Sequence, residues 1–451
     1  MGLVSFVRTA VITVTGLFSL NLFVLGVAST GAFFIPVGKK KKQARLQAQS
    51  ELWDLSTQPL PGFHHKFFEA PDGVNLHYVE GGDTSPGSPL IIFLHGFPDS
   101  WFVWHHQLSA PAIQQKAHLI ALDLPGHGGS DGFPRASATA ILTSVANFII
   151  AQKEKKTSET CILVSHDWGS IVCCRLAPEI GFLFTRCIVL NGLHPPLAIE
   201  NMNRATSSAS RMLRTYVRNP TNFALIRSAF QSLKPFLNQM KASYYASVFL
   251  LPLPLARTLY TMGDFWFLRL LCKLSKSSNE EIFLASAFGP SKSEAEGYPA
   301  AILARQNANK RASDRIAYYR DNLSLGTWRK PENIQVLIAE SQTNSGFTGL
   351  LEQKEGSFKC PVTIVYGAKD TAFHRPFCFE GLEEYLVPPK GKTGKSYLIC
   401  FPRDGHWTMI PSPAKESVDT LIESALDGID GEEMKERVWA VNKDVKFEIE
   451  N

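Results

Sequence analysis

Apolar runs alternate with helical patterns between residues 63 and 196. Four of these runs read as buried strands followed by tight turns: "PLIIFLHG", "HLIALDLPGHGGSDG", "ETCILVSHDWG" and "RCIVLNGLHPP". Stretches such as "ASATAILTSVANFIIAQKEKK" separate them and favour helices. Continuous apolar strands that alternate with helices are typical of a parallel sheet covered on both faces. The pattern therefore predicts the first part of an α/β core over residues 63–196.

The alternation stops near Pro196. Residues 197–355 carry helical patterns without clear parallel strands, after which "CPVTIVYGAKD" and "KSYLICFPRDGH" resume the strand and turn pattern. An insertion between two strands of the sheet is the simplest account, and it would lie over their carboxyl ends as a lid. We predict a mostly parallel sheet with a large helical lid at 197–355, the second part of the core at 356–430 and a tail at 431–451.

The N-terminus differs from the rest of the chain because no charged residue lies between Arg8 and Lys39. This apolar stretch exceeds the roughly 20 residues that cross a bilayer, so we predict a transmembrane anchor at 9–38 and a polar linker at 39–62. A cleaved signal peptide is the alternative, although its apolar region usually has only about 7–15 residues. Basic residues after the span predict that the main domain faces the cytosol; they are Lys39, Lys40, Lys41, Lys42 and Arg45.

The composition, with 45% apolar and 19% charged residues in 451, is that of a folded protein with a sizeable core. The net charge of +5 comes from the flank of the predicted anchor, because residues 46–451 hold 40 Lys and Arg against 41 Asp and Glu. A nearly neutral domain argues against a nucleic-acid partner. The eight cysteines show no paired spacing, which predicts free thiols in a reducing compartment.

The stretch "SHDWG" places an aspartate on a sharp turn after an apolar strand. Small residues flank an exposed nucleophile in a nucleophile elbow, and Ser165 and Gly169 fill those positions around Asp167. An aspartate after a strand is more often a helix cap, but the flanking small residues and the partners downstream favour the nucleophile. A carboxylate at this position attacks carbon and forms an alkyl ester.

Two residues late in the chain complete a catalytic set with this aspartate. His406 in "RDGHW" is a candidate base for hydrolysing the ester, and Asp370 in "GAKD" is a candidate for orienting it. Nucleophile, acid and histidine in this order are typical of α/β hydrolases. In "HGFP", Gly96 permits a close approach, so that the Phe97 and Trp168 amides can form an oxyanion hole. A plain β-turn is the alternative for that stretch.

These motifs resemble the epoxide hydrolase branch of the α/β-hydrolase fold, whose members show "HGFP", "HDWGG" and "GHW" in this order. The likeness covers about residues 65–430, with serines at 165 and 170 where glycines are usual. It implies that an epoxide is opened to a vicinal diol through an aspartyl ester, with water as second substrate. The sequence shows no metal-binding spacing, Walker loop or dinucleotide fingerprint, so we predict no metal or cofactor. The resemblance also implies two lid tyrosines that hold the epoxide oxygen. The matching positions are Tyr245 and Tyr319, with Tyr244 and Tyr318 left open by the register; the motifs further imply substrate contacts at His95, Pro98 and Trp407.

Microsomal-type members of that branch carry an N-terminal anchor with a cytosolic catalytic domain. The resemblance therefore implies a single-pass protein of the endoplasmic reticulum that acts on apolar or lipid-like epoxides, and it leaves the oligomeric state open. Residues 201–276 contain eleven Lys and Arg and one acidic residue among many apolar ones. This composition is consistent with a lid that rests on an anionic membrane, or with a solvated basic face over a substrate tunnel.

Two alternatives to epoxide hydrolysis share the same fold. Haloalkane dehalogenases resemble the chain at "HDWG", but they usually have an asparagine where Phe97 stands and lack the tyrosine pair. A catalytically inactive, membrane-tethered binding module is the other alternative. The presence of Asp167, Asp370 and His406 together argues against it.

Overall fold

The computed structural model of the protein describes residues 3–34, 37–291, 297–304, 308–344, 353–386 and 394–451. A nine-stranded sheet lies at the centre of this part of the chain. Its strands are β1 (His64–Glu69), β2 (Asn75–Gly82), β3 (Leu90–Leu94), β4 (His118–Leu122), β5 (Cys161–His166), β6 (Arg186–Leu190), β7 (Val362–Gly367), β8 (Tyr397–Phe401) and β9 (Lys446–Glu450).

The strands are arranged in the order β1-β2-β4-β3-β5-β6-β7-β8-β9. Strands β3 to β8 are parallel, and antiparallel strands close the sheet at both edges. Because parallel strands point the same way, the residues that follow β3, β5, β6, β7 and β8 meet along one edge of the sheet.

Helices precede the sheet, connect its strands and form the lid. They are α1 (Leu3–Ser29), α2 (Lys39–Trp53), α3 (His105–Leu108), α4 (Pro111–Gln114), α5 (Ala138–Glu154), α6 (Trp168–Ile180), α7 (Pro195–Arg218), α8 (Phe223–Ala242), α9 (Ala246–Phe249), α10 (Leu253–Ser275), α11 (Glu280–Phe288), α12 (Ala300–Leu303), α13 (Ala308–Arg320), α14 (Glu332–Asn344), α15 (Arg375–Phe379), α16 (Ala414–Leu426) and α17 (Gly431–Val441).

Both faces of the sheet are covered, which explains the continuous apolar character of its inner strands. Successive side chains of a strand point to opposite faces. In β5, Cys161 and Leu163 pack into the core beneath α5 and α6, whereas Ile162 and Val164 pack into the core on the side of α16. Every residue of this strand is buried.

The lid is inserted between β6 and β7, as the sequence predicts. Helices α7 to α14 lie in this interval, and α10 is interrupted by residues with non-helical backbone from Met262 to Phe265. Residues 345–352, at the end of the predicted lid, lie outside the described residues.

Helix α1 is shorter than the predicted anchor over 9–38, because its last residue is Ser29. The part from Thr9 to Ser29 is long and apolar enough to cross a membrane. The eight cysteines of the chain are all buried and have free thiols.

The predicted linker and tail belong to the folded unit instead of lying outside it. Within the predicted linker, α2 packs on α11: Trp53 Nε1 donates a hydrogen bond of 3.1 Å to the Ala285 carbonyl, and Gln49 Nε2 donates one of 3.1 Å to the Gly289 carbonyl. Within the predicted tail at 431–451, α17 leads into β9, which pairs antiparallel with β8. The core therefore continues beyond residue 430 to the edge strand.

We expect Trp53→Ala to lower the free energy of unfolding by about 3–5 kcal/mol, the usual cost of removing a fully buried large side chain. The Trp53 side chain is fully buried and hydrogen-bonded, so its loss leaves a cavity and an unpaired carbonyl. Denaturant unfolding of the full chain in detergent would measure the change. Lys40→Ala, on the exposed side of the same helix, is the control. Equal stability of the two variants would contradict the docking of α2.

Candidate active site

Asp167 lies at the apex of a sharp turn between β5 and α6. Its backbone has φ 49° and ψ −115°, a conformation that is unusual for a residue with a side chain. The surroundings leave no space for other side chains: a Cβ at Gly169 would lie 2.4 Å from the Leu94 carbonyl oxygen, and one at Gly96 would lie 2.4 Å from the Asp167 Cβ. The turn therefore requires glycine at both positions and presents the aspartate to the edge of the sheet.

The serines beside the turn are accommodated by hydrogen bonds to β6 and by a glycine opposite. Ser165 Oγ donates to the Ile188 carbonyl at 3.3 Å, and Ser170 Oγ donates to the Leu190 carbonyl at 3.1 Å. A Cβ at Gly192 would lie 2.2 Å from the Ser170 Cβ. Gly192 thus provides the space that the side chain of Ser170 takes up, so neither serine disturbs the turn.

The three predicted catalytic residues meet at the edge of the sheet. His406 Nδ1 lies 2.8 Å from Asp370 Oδ2, and His406 Nε2 lies 3.5 Å from Asp167 Oδ1. The other carboxylate oxygen, Asp167 Oδ2, accepts a hydrogen bond of 2.8 Å from the Phe97 amide. One oxygen of the aspartate is therefore held by the backbone, and the other faces the histidine.

Asn191, at the end of β6, is a site residue that the sequence motifs do not identify. Its Nδ2 donates to Asp370 Oδ2 at 2.8 Å, and its Oδ1 accepts a hydrogen bond of 2.9 Å from Thr408 Oγ1. The Ala372 amide holds the other oxygen of Asp370 at 2.8 Å. These contacts fix the orientation of Asp370. The position of Asn191 directly after a parallel strand is the sequence signal that could have identified it.

The histidine carries a proton at neutral pH because two carboxylates flank it. Burial disfavours the charged imidazole, but the charges of Asp370 and Asp167 and their hydrogen bonds outweigh burial and raise the pKa of His406 to about 10. Burial also opposes the charge on Asp167, yet the hydrogen bond and charge of His406 lower the pKa of that carboxyl below its usual value. The resting site thus contains a charged aspartate beside a charged histidine.

Two lid tyrosines lie above the aspartate. The rings of Tyr245, directly before α9, and Tyr319, in α13, are 6.4 Å apart between centroids, and both line the same cavities as Asp167. Burial raises the pKa of each phenol well above its usual value, and the charge of Asp167 acts in the same direction. Both hydroxyls therefore keep their protons and can act as hydrogen-bond donors.

Their neighbours in the sequence have different surroundings. Tyr318 is buried, and its hydroxyl donates to the Pro125 carbonyl at 2.8 Å. Tyr244 is 41% exposed and stacks on Phe23 of α1. Tyr245 and Tyr319 line both cavities with Asp167, whereas Tyr244 lines only the larger one and Tyr318 lines neither. This favours Tyr245 and Tyr319, and their role stays a prediction.

The two predicted oxyanion-hole amides differ in their contacts. The Phe97 amide already binds Asp167 Oδ2. The Trp168 amide is at the first turn of α6, and among the described residues it has no hydrogen-bond partner. The Trp168 ring packs edge-on against Tyr319, with 4.9 Å between centroids, and lines the smaller cavity described below.

Of the three predicted substrate contacts, only Trp407 lines a cavity next to the aspartate. His95 is fully buried, with Nδ1 bonded to the Gly96 carbonyl at 2.7 Å and Nε2 accepting from the Leu124 amide at 3.0 Å. Both ring nitrogens are engaged by backbone, so neither is available for a substrate in this arrangement. Pro98 is buried in the same loop and does not line either cavity, so its predicted contact with substrate stays a prediction.

A buried acid, Asp99, supports the site from beneath and is also missed by the sequence motifs. Its Oδ2 accepts a hydrogen bond of 3.0 Å from Trp407 Nε1 and lies 3.9 Å from His166 Nδ1. Burial raises the pKa of Asp99 to about 7; the Trp407 hydrogen bond opposes this shift and the charge of Asp167 adds to it. His166 Nε2 lies 2.9 Å from the His406 carbonyl oxygen. These contacts link the backbone of His406 to the turn that carries Asp167.

Two cavities share Asp167, Tyr245 and Tyr319 in their walls. The larger cavity has a volume of ≈ 640 Å³ and the smaller one ≈ 290 Å³. Most of their lining is apolar. Ala372 also lines both cavities. Besides these four shared residues, the larger cavity contacts His406, Phe97, Trp407, Phe267, Leu270, Leu271, Leu274 and Phe23, among others. An apolar molecule in either cavity would therefore lie beside the carboxylate and beneath the two phenols.

A model of the alpha/beta hydrolase family matches residues 91–420, which is more than half of the chain. The chain belongs to the alpha/beta hydrolase family. This result agrees with the architecture described above and confirms the predicted fold. In this alpha/beta hydrolase, as the order of motifs predicts, the elbow follows β5, the acid follows β7 and the histidine follows β8.

Curated relatives of this alpha/beta hydrolase are similar over part of their length. Epoxide hydrolase 3 of Mus musculus is 35% identical over 130 residues, which are 28% of this chain and 33% of the relative. Epoxide hydrolase 4 of Mus musculus is 33% identical over 132 residues, which are 29% of this chain and 35% of the relative. The chain thus spans about a third of the length of the curated relatives it matches.

Solved structures of epoxide hydrolases share the fold. A structure of the Bacillus megaterium enzyme with an inhibitor has a TM-score of 0.51 and 20% identity, covering 80% of this chain and 100% of that one. The Cif epoxide hydrolase of Acinetobacter nosocomialis has a TM-score of 0.55 and 17% identity, covering 87% of this chain and 98% of that one. At these identities the likeness concerns the fold.

We expect Asp370→Asn to lower the pKa of His406 from about 10 by at least about one pH unit. A negative charge beside the imidazole favours the protonated form, so its removal makes the proton easier to lose. A pH titration of the full chain with isotope-labelled histidines, followed by NMR, would measure the pKa. Asp72→Asn, in the exposed turn between β1 and β2, is the matched control. An unchanged pKa in Asp370→Asn would contradict the charge-based account.

Proposed function

We propose that the protein hydrolyses epoxides to vicinal diols through an ester on Asp167. The observation that carries this proposal is the combination of a carboxylate at the elbow with two protonated phenols across the same apolar cavity. A carboxylate nucleophile suits attack on a carbon atom, and phenols suit the oxygen that leaves it. The similarity to proteins named epoxide hydrolase 3 and epoxide hydrolase 4 supports the same reaction.

In the first step, Asp167 Oδ1 attacks an epoxide carbon while the carbon–oxygen bond of the ring breaks. The electron pair of that bond goes to the epoxide oxygen, which takes a proton from Tyr245 or Tyr319. The Phe97 amide holds Oδ2 at 2.8 Å, so the attacking oxygen is Oδ1, which faces His406 Nε2 at 3.5 Å. The product of this step is a hydroxyalkyl ester of the aspartate.

In the second step, water hydrolyses this ester with His406 as the base. Formation of the ester removes the negative charge of Asp167, one of the two charges that raise the pKa of the imidazole. The pKa of His406 therefore falls after the first step, so the imidazolium gives its proton to the phenolate that this step leaves, which restores the phenol. The neutral imidazole can then take a proton from water. Asp370 remains bonded to Nδ1 and keeps the ring oriented.

During hydrolysis the former Oδ2 becomes the oxyanion of a tetrahedral intermediate. The Phe97 amide already contacts this atom, and the unpartnered Trp168 amide lies at the positive end of α6. Collapse of the intermediate breaks the bond to the ester oxygen, which takes the proton of the newly formed carboxylic acid. The diol is then released and the carboxylate is restored. One oxygen of the restored carboxylate then originates from water.

We propose that the substrate is an apolar or lipid-like epoxide and that α1 anchors the protein in a membrane. The walls of both cavities are mainly apolar, which favours such molecules. Helix α1 carries exposed apolar side chains suited to lipid: Val11, Val14, Leu17, Phe18, Leu22 and Leu25. The basic flank after it favours a cytosolic catalytic domain.

We expect one turnover of styrene oxide in water enriched in heavy oxygen to place the heavy isotope in the Asp167 carboxylate, because water attacks the ester carbonyl. Mass spectrometry of the peptide that contains Asp167 would detect it, with Asp167→Asn as the control that forms no diol. Diol formation without label in this peptide would mean direct attack by water. Halide release from a haloalkane, with no diol from any epoxide, would favour the dehalogenase reaction.

We expect the double variant Tyr245→Phe, Tyr319→Phe to lower kcat/KM for styrene oxide by about 10²–10⁴-fold, the usual contribution of a general acid. Both substitutions keep the rings and remove the hydroxyls. Steady-state diol formation would measure the loss, and Tyr216→Phe on α7 is the matched control. A greater loss in the pair Tyr244→Phe, Tyr318→Phe would contradict the assignment of the two donors.

A further inference from the structure

The N-terminal helix α1 contributes a side chain to the wall of the larger cavity. Phe23 lies in that wall together with Asp167, His406, Tyr245 and Tyr319. It is 8% exposed, although it belongs to a helix with the length and apolar composition of a membrane span. A helix that served only as an anchor would have no reason to reach the reacting groups.

Helix α1 is packed tightly against the lid along one stripe of its surface. Ser19, Leu20, Phe23 and Val27 follow helical spacing and are all buried. Two close approaches fix its position: a Cβ at Gly16 would lie 2.7 Å from the Ser247 carbonyl oxygen, and one at Gly263 would lie 2.5 Å from the Val27 Cγ1.

The non-helical stretch of α10 forms part of the lid surface that contacts α1. Gly263 has φ +59°, and it lies in the non-helical stretch from Met262 to Phe265. A glycine adopts this backbone without strain, and its missing side chain leaves room for Val27 of α1. The lid is therefore shaped to receive this helix, which makes α1 a structural part of the cavity wall.

Phe23 contacts aromatic side chains of the lid, and one of them is Tyr244, the residue before the proposed proton donor Tyr245. The Phe23 ring is parallel to that of Tyr244, with 6.3 Å between centroids, and edge-on to Phe267 at 5.7 Å. Tyr244 is adjacent in sequence to Tyr245. The size of the side chain at position 23 therefore affects the shape of the cavity directly beside the proposed site of reaction.

The opposite stripe of α1 faces away from the protein. Val14, Phe18 and Leu25 are 67%, 63% and 65% exposed. Phe18 therefore offers a matched comparison with Phe23: the same residue type in the same helix, on the face that does not contact the cavity.

We propose that Phe23 is a substrate-contacting residue that limits the size of the epoxides the cavity accepts. This inference rests on the proposed function, since it takes the larger cavity as the place where the epoxide binds. It goes beyond that function by making the N-terminal helix a determinant of specificity.

The test compares kcat/KM for trans-stilbene oxide and styrene oxide, using the full chain in nanodiscs. We expect Phe23→Ala to raise the ratio in favour of the bulkier epoxide by about tenfold, as is usual when a pocket gains space for apolar groups. Phe23→Trp should lower the ratio, and Phe18→Ala should leave it unchanged. Because Phe23→Ala removes a buried side chain, Phe23→Leu provides a smaller change if the alanine variant unfolds. Equal ratios in all four variants would overturn the inference.

A second measurement requires no turnover. The Asp167→Asn chain is irradiated with an alkyl epoxide that carries a diazirine, and its labelled residues are mapped by mass spectrometry. We expect an adduct on Phe23 that excess styrene oxide suppresses, and an adduct on Phe18 that it does not. Absence of a suppressible adduct on Phe23 would overturn the inference. If the native chain forms no diol but the Phe23 adduct is still suppressed, the proposed hydrolysis fails, while the contact between Phe23 and a bound epoxide is supported.

Discussion

The candidate site depends on keeping the Asp167 carboxylate charged in a buried position. Burial alone would protonate a carboxyl group, and an unpaired buried charge is costly. The Phe97 amide and the charged His406 offset that cost, and they bind different oxygens of the same carboxylate. The close approach of Gly96 and the positive φ of Asp167 serve this arrangement, because they bring the aspartate to an amide and a histidine from other strands.

The negative charge of Asp167 also raises the pKa values of the groups around it. While Asp167 is ionised, it helps to hold a proton on His406 and raises the pKa of Tyr245 and Tyr319, which keeps both phenols protonated. In the proposed reaction, esterification removes this charge. The pKa of His406 then falls at the stage of the reaction at which a base is required. In this proposal, the charge state of one carboxylate couples the acid role of the tyrosines to the base role of the histidine.

The sequence predicts the parts of this design that depend on local pattern. The apolar run of β5 followed by small residues identifies the elbow at Asp167, and the chain order identifies Asp370 and His406. The choice between Tyr318 and Tyr319 depends on a residue far away in the sequence, because the Pro125 carbonyl accepts a hydrogen bond from the Tyr318 hydroxyl. The surroundings of His95 cannot be predicted from the sequence either, because only the fold shows that backbone groups occupy both of its ring nitrogens. Strand β9 alternates exposed and half-buried residues at the sheet edge, a weaker signal than the continuous apolar run of an inner strand.

The N-terminal region shows that the composition of a segment does not reveal whether it packs against the folded domain. An apolar helix followed by lysines indicates an anchor, and α2 has too mixed a sequence to predict a docked helix. In the structure both pack on the lid: α1 through the glycine contacts at Gly16 and Gly263, and α2 through Trp53. Ion pairs from the basic flank strengthen this contact, as between Arg45 and Asp264 at 3.3 Å. A helix held this closely constrains the lid, so the contacts that position α1 also shape the wall of the cavity.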